Sequence, residues 1–262
     1  MNRNRKICCW ILLLLLVAAV PAARGDSGRI LGAVWKDQTP DGVMDDEIRV
    51  KGAVIILEKK AEEGGSTEIA RTESDADGAY SLIVPEAGTY RLRIELPANC
   101  RFTFHGADSA VLPAQGSVSC TPYFEATDGE IKNLNIGTTR SKAAVTFMVY
   151  EDANGNGSRA SAEKRLSNVR VGILYEYEGE TYTVAETLTP TGGRITLEDL
   201  SPGTYQAYFE VPEGYRVGPM GRKFSGWHSC FTQEGNMGFT VPFTVNVREN
   251  QWVGAGVVRA DE

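Results

Sequence analysis

Apolar and polar side chains alternate along residues 90–96 and again along residues 205–211. A period of two places successive side chains on opposite faces of a β-strand, so each stretch has one buried and one solvated face. Turn-forming residues separate such stretches, for example at residues 76–78 and 192–193. Since no segment longer than a few turns has the apolar period of a helix, the pattern predicts an all-β chain.

The same order of elements occurs twice along the chain. An internal repeat is typical of an architecture assembled from similar units. Each unit contains several short strands within about 110 residues, which is the size of a two-sheet β-sandwich. The repeat therefore predicts two tandem β-sandwich domains, over residues 28–140 and 141–262. The matched segments are 34–37 with 149–152, 88–90 with 203–205, and 124–140 with 243–259.

The N-terminus has the composition of a secretory signal peptide, which we predict over residues 1–23. Basic residues precede an unbroken apolar run over residues 7–20, which is short for a membrane span. Small residues around Ala22 fit cleavage by a signal peptidase, and an uncleaved membrane anchor is the alternative. The chain is therefore expected to be exported, either secreted into the extracellular space or held at the cell surface.

The net charge of −7 argues against two classes of partner. Removal of residues 1–22 takes away Arg3, Arg5 and Lys6 and no acidic residue, which changes the net charge from −7 to −10. An acidic chain without a basic stripe does not attract nucleic acid or an anionic membrane surface. We therefore expect no nucleic-acid partner, and no membrane contact unless the signal stays uncleaved.

Three cysteines, Cys100, Cys120 and Cys230, lie beyond the predicted signal. In an oxidising compartment Cys100 and Cys120 could form a disulfide within the first unit, which leaves Cys230 unpaired. The alternative is three unpaired thiols, at least two of them buried. The sequence leaves both arrangements open.

Several motifs occur in the same order in both units. The first unit has residues 34–37, an acidic loop, and residues 75–80 and 87–90; the second has residues 149–157 and 202–205. In this order the motifs resemble the B-type repeat of bacterial serine-aspartate surface adhesins (SdrD B-like), close to the Cna B-type domains of collagen adhesins. The resemblance implies a prealbumin-like (Ig-like) β-sandwich that acts as a spacer between a bacterial cell surface and a more distal binding domain. It also implies loops that hold calcium and stiffen the stalk.

The chain departs from this family pattern in three ways. It has no serine-aspartate run, no LPxTG-like sorting signal and no apolar segment at its C-terminus. Covalent attachment to a cell wall is therefore not expected from these residues, and neither is a dedicated distal ligand-binding domain.

The loop after residue 151 carries the sharpest chemical motif. It fits the spacing D-x-[DN]-x-[DN]-G-x5-E, in which alternate oxygens of a tight turn and a later glutamate surround a calcium ion. Because only two carboxylates are present, we expect weak binding, with a Kd of about 10⁻⁴ to 10⁻³ M. The alternative is an ordinary turn, since Asn-Gly pairs are common turn formers. The expected ligands are the side-chain oxygens of Asp152, Asn154, Asn156 and Glu163 and the carbonyl oxygen of Ser158.

The corresponding loop of the first unit is more acidic and less regular. Glu47 aligns with Glu163, but it falls at position eleven of the pattern rather than twelve. Carboxylates crowded into a short loop repel one another, and a bound cation would relieve that repulsion. The alternative is a solvated acidic loop. The expected ligands of a second calcium ion are Asp37, Asp41, Asp45 and Glu47.

These features predict a structural or adhesion module, a calcium-stiffened spacer, and no catalytic residues. His105 and His228 have neither metal-ligand nor nucleophile spacing, and no cofactor other than calcium is expected. The alternative is a carbohydrate- or protein-binding module that uses aromatic residues, Trp227 among them, in the irregular segments 101–119 and 216–238. We expect these aromatics to cap the sandwich ends instead. The candidate partners are a host or cell-wall protein or glycan, and the chain is expected to be a monomer.

Overall fold

The structure is a computed structural model that describes residues 28–45, 48–106 and 108–260. The predicted signal at residues 1–23 and the candidate ligand Glu47 lie outside the described residues. Every regular element in the described ranges is a β-strand, which confirms the all-β prediction. The same ranges contain no helix that is long and apolar enough to cross a membrane.

The described part of the first half folds into short strands joined by tight turns. They are β1 (Gly28–Lys36), β2 (Ile48–Arg49), β3 (Val54–Lys60), β4 (Ser66–Glu73), β5 (Ala79–Val84), β6 (Gly88–Glu95), β7 (Arg101–Phe102), β8 (Val118–Cys120), β9 (Phe124–Ala126), β10 (Ile131–Asn133) and β11 (Ile136–Thr139).

These strands form two sheets. One has the order β10-β1-β11-β7, with β2 and β5 also paired to β1, and the other has the order β4-β3-β6-β8, with β9 also paired to β6. The two sheets enclose one apolar cluster. On β6, Tyr90, Leu92 and Ile94 are fully buried, whereas Arg91 and Arg93 between them are half-buried. The predicted alternation is thus confirmed on this strand, and burial of each apolar side chain stabilises the fold by about 1.5–3 kcal/mol.

The second half is built from a similar series of strands. They are β12 (Ala143–Glu151), β13 (Arg170–Tyr177), β14 (Glu180–Leu188), β15 (Arg194–Leu200), β16 (Gly203–Glu210), β17 (Tyr215–Val217), β18 (Thr232–Glu234), β19 (Met237–Phe239), β20 (Phe243–Val245) and β21 (Asn250–Arg259).

These strands also form two sheets around a second apolar cluster. One sheet has the order β15-β12-β21-β17, and the other has the order β14-β13-β16-β19-β18, with β20 also paired to β16. Tyr205, Ala207 and Phe209 of β16 are fully buried, as the alternation predicts, but Tyr208, on the face predicted to be solvated, is buried as well. Phe231, from one of the irregular segments, packs edge-on against Phe209 with ring centroids 5.0 Å apart. The fold is therefore a β-sandwich architecture, as predicted.

The strand beside β12 differs from its counterpart in the first half. β21 runs parallel to β12 without interruption, from the pair Ala144–Asn250 to the pair Glu151–Val257. In the first half the corresponding edge of β1 is covered by two short strands, β10 and β11. Asn135 lies at the break, where its side-chain Oδ1 accepts a hydrogen bond from the backbone N–H of Ala33 at 3.0 Å. Within the described ranges, a continuous parallel ladder next to a candidate calcium loop therefore occurs in the second half and not in the first.

All three cysteines of the described chain are free thiols. Cys100 and Cys120 are half-buried, and Cys230 is buried against the second core. Burial raises the pKa of the Cys120 and Cys230 thiols, so both are held as neutral, unreactive groups. Of the two arrangements left open by the sequence, the structure has the one without a disulfide, but of the three described thiols Cys230 alone is buried, where at least two were expected to be.

Candidate functional site

The loop that follows β12, residues 152–163, is built around the carboxylate of Asp152, which is 1% exposed. Its Oδ1 accepts the N–H of Asn156 at 3.1 Å, and its Oδ2 accepts the N–H of Gly157 at 2.8 Å. Gly157 has a φ of 71°, a left-handed conformation that favours glycine. The tight turn therefore brings two backbone amides onto one buried carboxylate.

Alternate side chains and a closing glutamate complete this loop. Asn154 Oδ1 accepts the N–H of Asn156 at 3.1 Å, and Asn156 Oδ1 accepts the N–H of Ser158 at 2.8 Å. The two carboxylate oxygens of Glu163 accept backbone N–H groups at each end of the loop, at 3.0 and 2.8 Å. The predicted side-chain ligands Asp152, Asn154, Asn156 and Glu163 thus lie in one compact turn, with their oxygens directed at its backbone.

Tyr150 lies beside this loop near the end of β12 and is fully buried. Its hydroxyl has no hydrogen-bond partner among the described residues. Burial, and after it the nearby carboxylate of Asp152, raises the pKa of the Tyr150 phenol. The group beside the Asp152 carboxylate is therefore a neutral hydroxyl.

The loop that follows β1 has a similar buried anchor. Asp37 is 1% exposed, and its Oδ2 accepts both the N–H of Gly42 at 2.8 Å and the hydroxyl of Thr103 at 2.5 Å. Its Oδ1 is buried and has no partner among the described residues. An unpaired buried carboxylate oxygen is unfavourable unless a donor or a cation satisfies it.

The other acidic residues of the first loop do not gather around Asp37. Asp41 is exposed, and its carboxylate accepts the N–H of Val43 at 2.9 Å and the hydroxyl of Thr39 at 3.3 Å. Asp45 is exposed as well. Within the described ranges no three His, Cys, Asp or Glu side chains are placed to hold a metal ion together. Of the predicted ligands here, Asp37 is buried while Asp41 and Asp45 face solvent.

The aromatic residues of the two irregular segments divide into two groups. Phe102 and Phe231 are buried in the sandwich cores and Phe224 packs against the second core, as expected, whereas Phe104 is half-buried beside Gly42 of the first loop. Trp227 does not cap a core, because 53% of it is exposed. The feature required by a binding module, an exposed aromatic residue on this segment, is therefore present in the second half.

Trp227 contributes to a cleft of about 410 Å³ on the outer face of the sheet β15-β12-β21-β17. Met148 of β12 pairs with Arg194 of β15, and Trp252 enters from the neighbouring β21. Sequence reasoning does not find this cleft, because its residues are far apart in the chain and meet only across strands and loops. The cleft, hereafter the arginine–tryptophan cleft, is lined by Met148, Arg159, Arg165, Arg194, Ser225, Gly226, Trp227 and Trp252.

Comparison with known protein families matches residues 143–250 to the SdrD B-like domain. The predicted resemblance is thus confirmed for most of the second half, whereas a second copy over residues 28–140 stays a prediction. Serine-aspartate repeat-containing protein F of Staphylococcus epidermidis is 29% identical over 185 residues, covering 69% of this chain and 11% of that protein. Serine-aspartate repeat-containing protein C of Staphylococcus aureus is 29% identical over 183 residues, covering 69% of this chain and 18% of that protein.

Both alignments are longer than residues 141–262, so they extend into the first half. The chain spans between about a tenth and a fifth of the length of these relatives. The matches agree with the predicted extracellular or cell-surface location, and neither relative is named as an enzyme.

Among solved structures, the minor pilin of Streptococcus agalactiae is similar at 12% identity and a TM-score of 0.41, covering 90% of this chain and 98% of the pilin. A streptococcal ancillary pilin is similar at 14% identity and a TM-score of 0.37, covering 90% of this chain and 63% of that one.

Proposed function

We propose that this chain is an extracellular structural module, a spacer in which two β-sandwiches are joined in a fixed relative orientation and stiffened by calcium. The relationship to serine-aspartate repeat proteins supports the general class, a structural module of surface proteins. The observation that carries the proposal is the contact between the two halves. A spacer transmits length and direction only if its units do not swing freely about their junction.

The contact between the halves is made first by backbone hydrogen bonds. The N–H of Ser201 donates to the carbonyl of Ala114 at 2.9 Å, and the N–H of Gly116 donates to the carbonyl of Asp199 at 2.7 Å. The Ser201 hydroxyl, which is fully buried, also bonds the backbone of Ala114. A turn of the first half therefore lies directly on the end of β15 in the second.

Charged and aromatic side chains extend this contact. The Asp199 carboxylate forms ion pairs with Arg101 of the first half and with Lys142, and these partners lower the pKa of Asp199 against the effect of its burial. His105 Nδ1 lies 2.9 Å from the hydroxyl of Tyr175, and burial lowers the pKa of His105. With this neutral imidazole and several short polar contacts, we expect a junction that resists bending.

A distance measurement between the halves tests the spacer. Spin labels are introduced through noncanonical residues at the exposed positions Glu62 and Glu213, which leaves the native cysteines unlabelled. Pulsed dipolar spectroscopy should give one narrow distance distribution for the otherwise unaltered chain. The Arg101→Gln/Ser201→Ala double variant should broaden it, because the variant loses the ion pair and the Ser201 hydroxyl contacts.

The matched control is Arg170→Gln, which removes an exposed arginine paired with Glu186 and Glu210, outside the junction contacts described above. It should leave the distribution narrow. A broad distribution in the chain that carries only the labels would contradict the proposed rigid spacer.

The composition and geometry of the second loop support calcium as the stiffening ion. Calcium takes six to eight oxygen ligands at flexible geometry. Asp152, Asn154, Asn156 and Glu163 bring carboxylate and amide oxygens into one turn, and each carboxylate oxygen, which accepts one N–H, has lone pairs left for a cation. Ser158 would add its carbonyl oxygen. Calcium held there would cross-link the two ends of the loop.

In the first loop the support comes from one atom. The buried Oδ1 of Asp37 has no donor, and a cation would satisfy it. Asp41 and Asp45 are exposed and would have to turn inward to join it, with Glu47 as the fourth proposed ligand. We therefore expect this loop to bind calcium more weakly than the second loop.

The exposed Trp227 favours a second candidate function, an extracellular binding module for a host or cell-wall glycan or protein. Exposed aromatic side chains on loops that a rigid scaffold positions commonly mark binding surfaces. A spacer does not need this residue to be accessible, so the two roles are compatible within one chain.

A further inference from the structure

The arginine–tryptophan cleft concentrates positive charge on an acidic chain. Its lining contains three arginines and no acidic residue, although the chain has 34 acidic and 27 basic residues. In the described part of the chain, Arg165 and Arg194 have no carboxylate partner, whereas the exposed Arg170 pairs with two glutamates. The guanidinium N–H donors of Arg165 and Arg194 are therefore available to an anionic ligand.

Arg159 is held in position beside them. Its Nη2 donates to the carbonyl of Glu163 at 3.2 Å, and its backbone N–H donates to the carbonyl of Trp227 at 2.8 Å. Its Nε is buried and has no acceptor among the described residues. A buried donor without an acceptor is costly, so this guanidinium retains an N–H donor that the described residues leave unpaired.

The two tryptophans give the cleft flat apolar walls. The guanidinium carbon of Arg159 lies 5.5 Å from the ring centroid of Trp227, and that of Arg194 lies 5.8 Å from the ring centroid of Trp252. These cation–π contacts orient the two guanidinium groups before any ligand arrives. Trp227 is 53% exposed, so much of its surface remains open, and the buried Met148 provides an apolar floor.

The side-chain groups that line the cleft indicate which class of ligand it can bind. Extended peptides commonly bind along a sheet edge through backbone hydrogen bonds, whereas this cleft lies on the face of a sheet and presents guanidinium groups and indole rings. An acidic sugar has the complementary groups, since its carboxylate or sulfate oxygens fit a guanidinium and the C–H face of its ring stacks on an indole. The volume of about 410 Å³ is in the range of small-ligand sites, roughly 300–1,000 Å³.

From this geometry we infer that the arginine–tryptophan cleft binds an anionic oligosaccharide. The arginines take the carboxylate or sulfate groups, and Trp227 stacks on a sugar ring. This inference rests on the second candidate function, the binding module at Trp227, and names its class of ligand; it depends neither on the spacer function nor on calcium in the loops.

Titration calorimetry on the chain without residues 1–23, the predicted signal, tests this inference with four probes. They are a heparin-derived hexasaccharide, an unsulfated oligogalacturonate, neutral maltohexaose and a hexaglutamate peptide. We expect binding of one or both anionic sugars that weakens as ionic strength rises, and no binding of maltohexaose. Binding of the heparin fragment alone would assign the site to sulfated glycans, and binding of oligogalacturonate would show that carboxylates suffice.

Variants connect the binding to the cleft. Trp227→Ala and Arg194→Ala should each weaken the binding of anionic sugar about tenfold, since each removes a stacking surface or a charged hydrogen bond. The matched aromatic control is Tyr123→Ala, because Tyr123 is an exposed ring of the first half with Arg91 5.1 Å from its centroid. The matched charge control is Arg170→Ala, and both controls should bind like the unaltered chain.

Three results would overturn the inference. The first is equal binding of neutral and anionic sugars, or binding of neither. The second is undiminished binding by both cleft variants. The third is tighter binding of hexaglutamate than of either anionic sugar, which would assign the cleft to an acidic protein.

Discussion

Asp37 and Asp152 occupy the same place in the loops that follow β1 and β12. Each is 1% exposed, and each accepts the N–H of the glycine five residues later at 2.8 Å. The second oxygens differ, because Asp152 Oδ1 accepts the N–H of Asn156 while Asp37 Oδ1 has no partner in the described ranges. The two loops thus share a buried aspartate that bonds a glycine N–H. In the second loop both carboxylate oxygens have a donor, whereas in the first loop one of them has none in the described ranges.

The faces beside the two loops differ as well. In the first half Ala33 pairs with Ala79, whereas the corresponding pair in the second half is Met148 with Arg194. The alanine side chains are too short to extend over the sheet. Met148 and Arg194 have long side chains, and they supply the floor and one wall of the arginine–tryptophan cleft. The same strand pairing therefore carries two alanines in the first half and part of a candidate binding cleft in the second.

The largest expected effect tests how tightly the second loop packs. Gly155 and Gly157 have similar φ values of 65° and 71°. A Cβ on Gly157 would lie 2.8 Å from the carbonyl oxygens of Pro219 and Met220, whereas one on Gly155 would have no atom within 4 Å. We expect Gly157→Ala to reduce the free energy of unfolding by about 3 kcal/mol and Gly155→Ala by about 1 kcal/mol, measured by urea denaturation.

Gly42 of the first loop supplies the comparison between the halves. It has a φ of 78°, and a Cβ there would lie 3.1 Å from Phe104. Gly42→Ala should therefore reduce the free energy of unfolding by about 2 kcal/mol, between the losses expected for Gly155→Ala and Gly157→Ala. A loss equal to that of Gly157→Ala would mean that the two loops are packed equally tightly, against this account.

A smaller effect should distinguish the two anchors. In Asp152→Asn, one of the two acceptor oxygens becomes an NH₂ group that faces a backbone N–H, so we expect a loss of about 2 kcal/mol. In Asp37→Asn both donors can still bond the remaining oxygen, and the NH₂ group takes the place of the unpaired Oδ1. An unpaired NH₂ donor then replaces an unpaired acceptor while a buried charge is removed, so the loss should stay below that of Asp152→Asn, at about 1 kcal/mol or less.

Urea denaturation in the presence of a calcium chelator measures both changes without any contribution from a bound ion. Equal losses for Asp37→Asn and Asp152→Asn would show that the unpaired oxygen of Asp37 has no energetic consequence. A larger loss for Asp37→Asn than for Asp152→Asn would mean that the first loop depends more on its buried aspartate than the second, contrary to this prediction.

The period-two pattern was sufficient to predict the buried faces of β6 and β16. Tyr90 and Leu92 on β6, and Tyr205 and Phe209 on β16, are buried where the alternation places them. Alternation is decided locally by the geometry of a strand, so it can be read from the sequence alone. The irregular segments have no such period, and the sequence could not show that Phe231 is buried while Trp227 is exposed.

The candidate calcium loop could be predicted from the sequence because its proposed ligands lie within twelve residues of one another. The arginine–tryptophan cleft was not, because Arg159, Arg194 and Trp252 come from a loop and two different strands. Their proximity depends on the strand order β15-β12-β21, which is set by packing of the whole sandwich. The orientation of the Asp37 carboxylate could not be predicted for the same reason, since the Thr103 hydroxyl that bonds it comes from a distant segment of the chain.

Thermal unfolding with calcium or with a chelator tests the calcium-stiffened spacer most directly. At about ten times its Kd, calcium should stabilise a loop by about 1.4 kcal/mol and raise the Tm by about 3–6 °C. Glu163→Gln should lose most of this response, because it removes one of the two carboxylates of the stronger loop. The matched control Glu180→Gln makes the same charge change at an exposed position on β14 and should respond like the unaltered chain. A melting curve that millimolar calcium leaves unchanged, or an undiminished response in Glu163→Gln, would contradict the account.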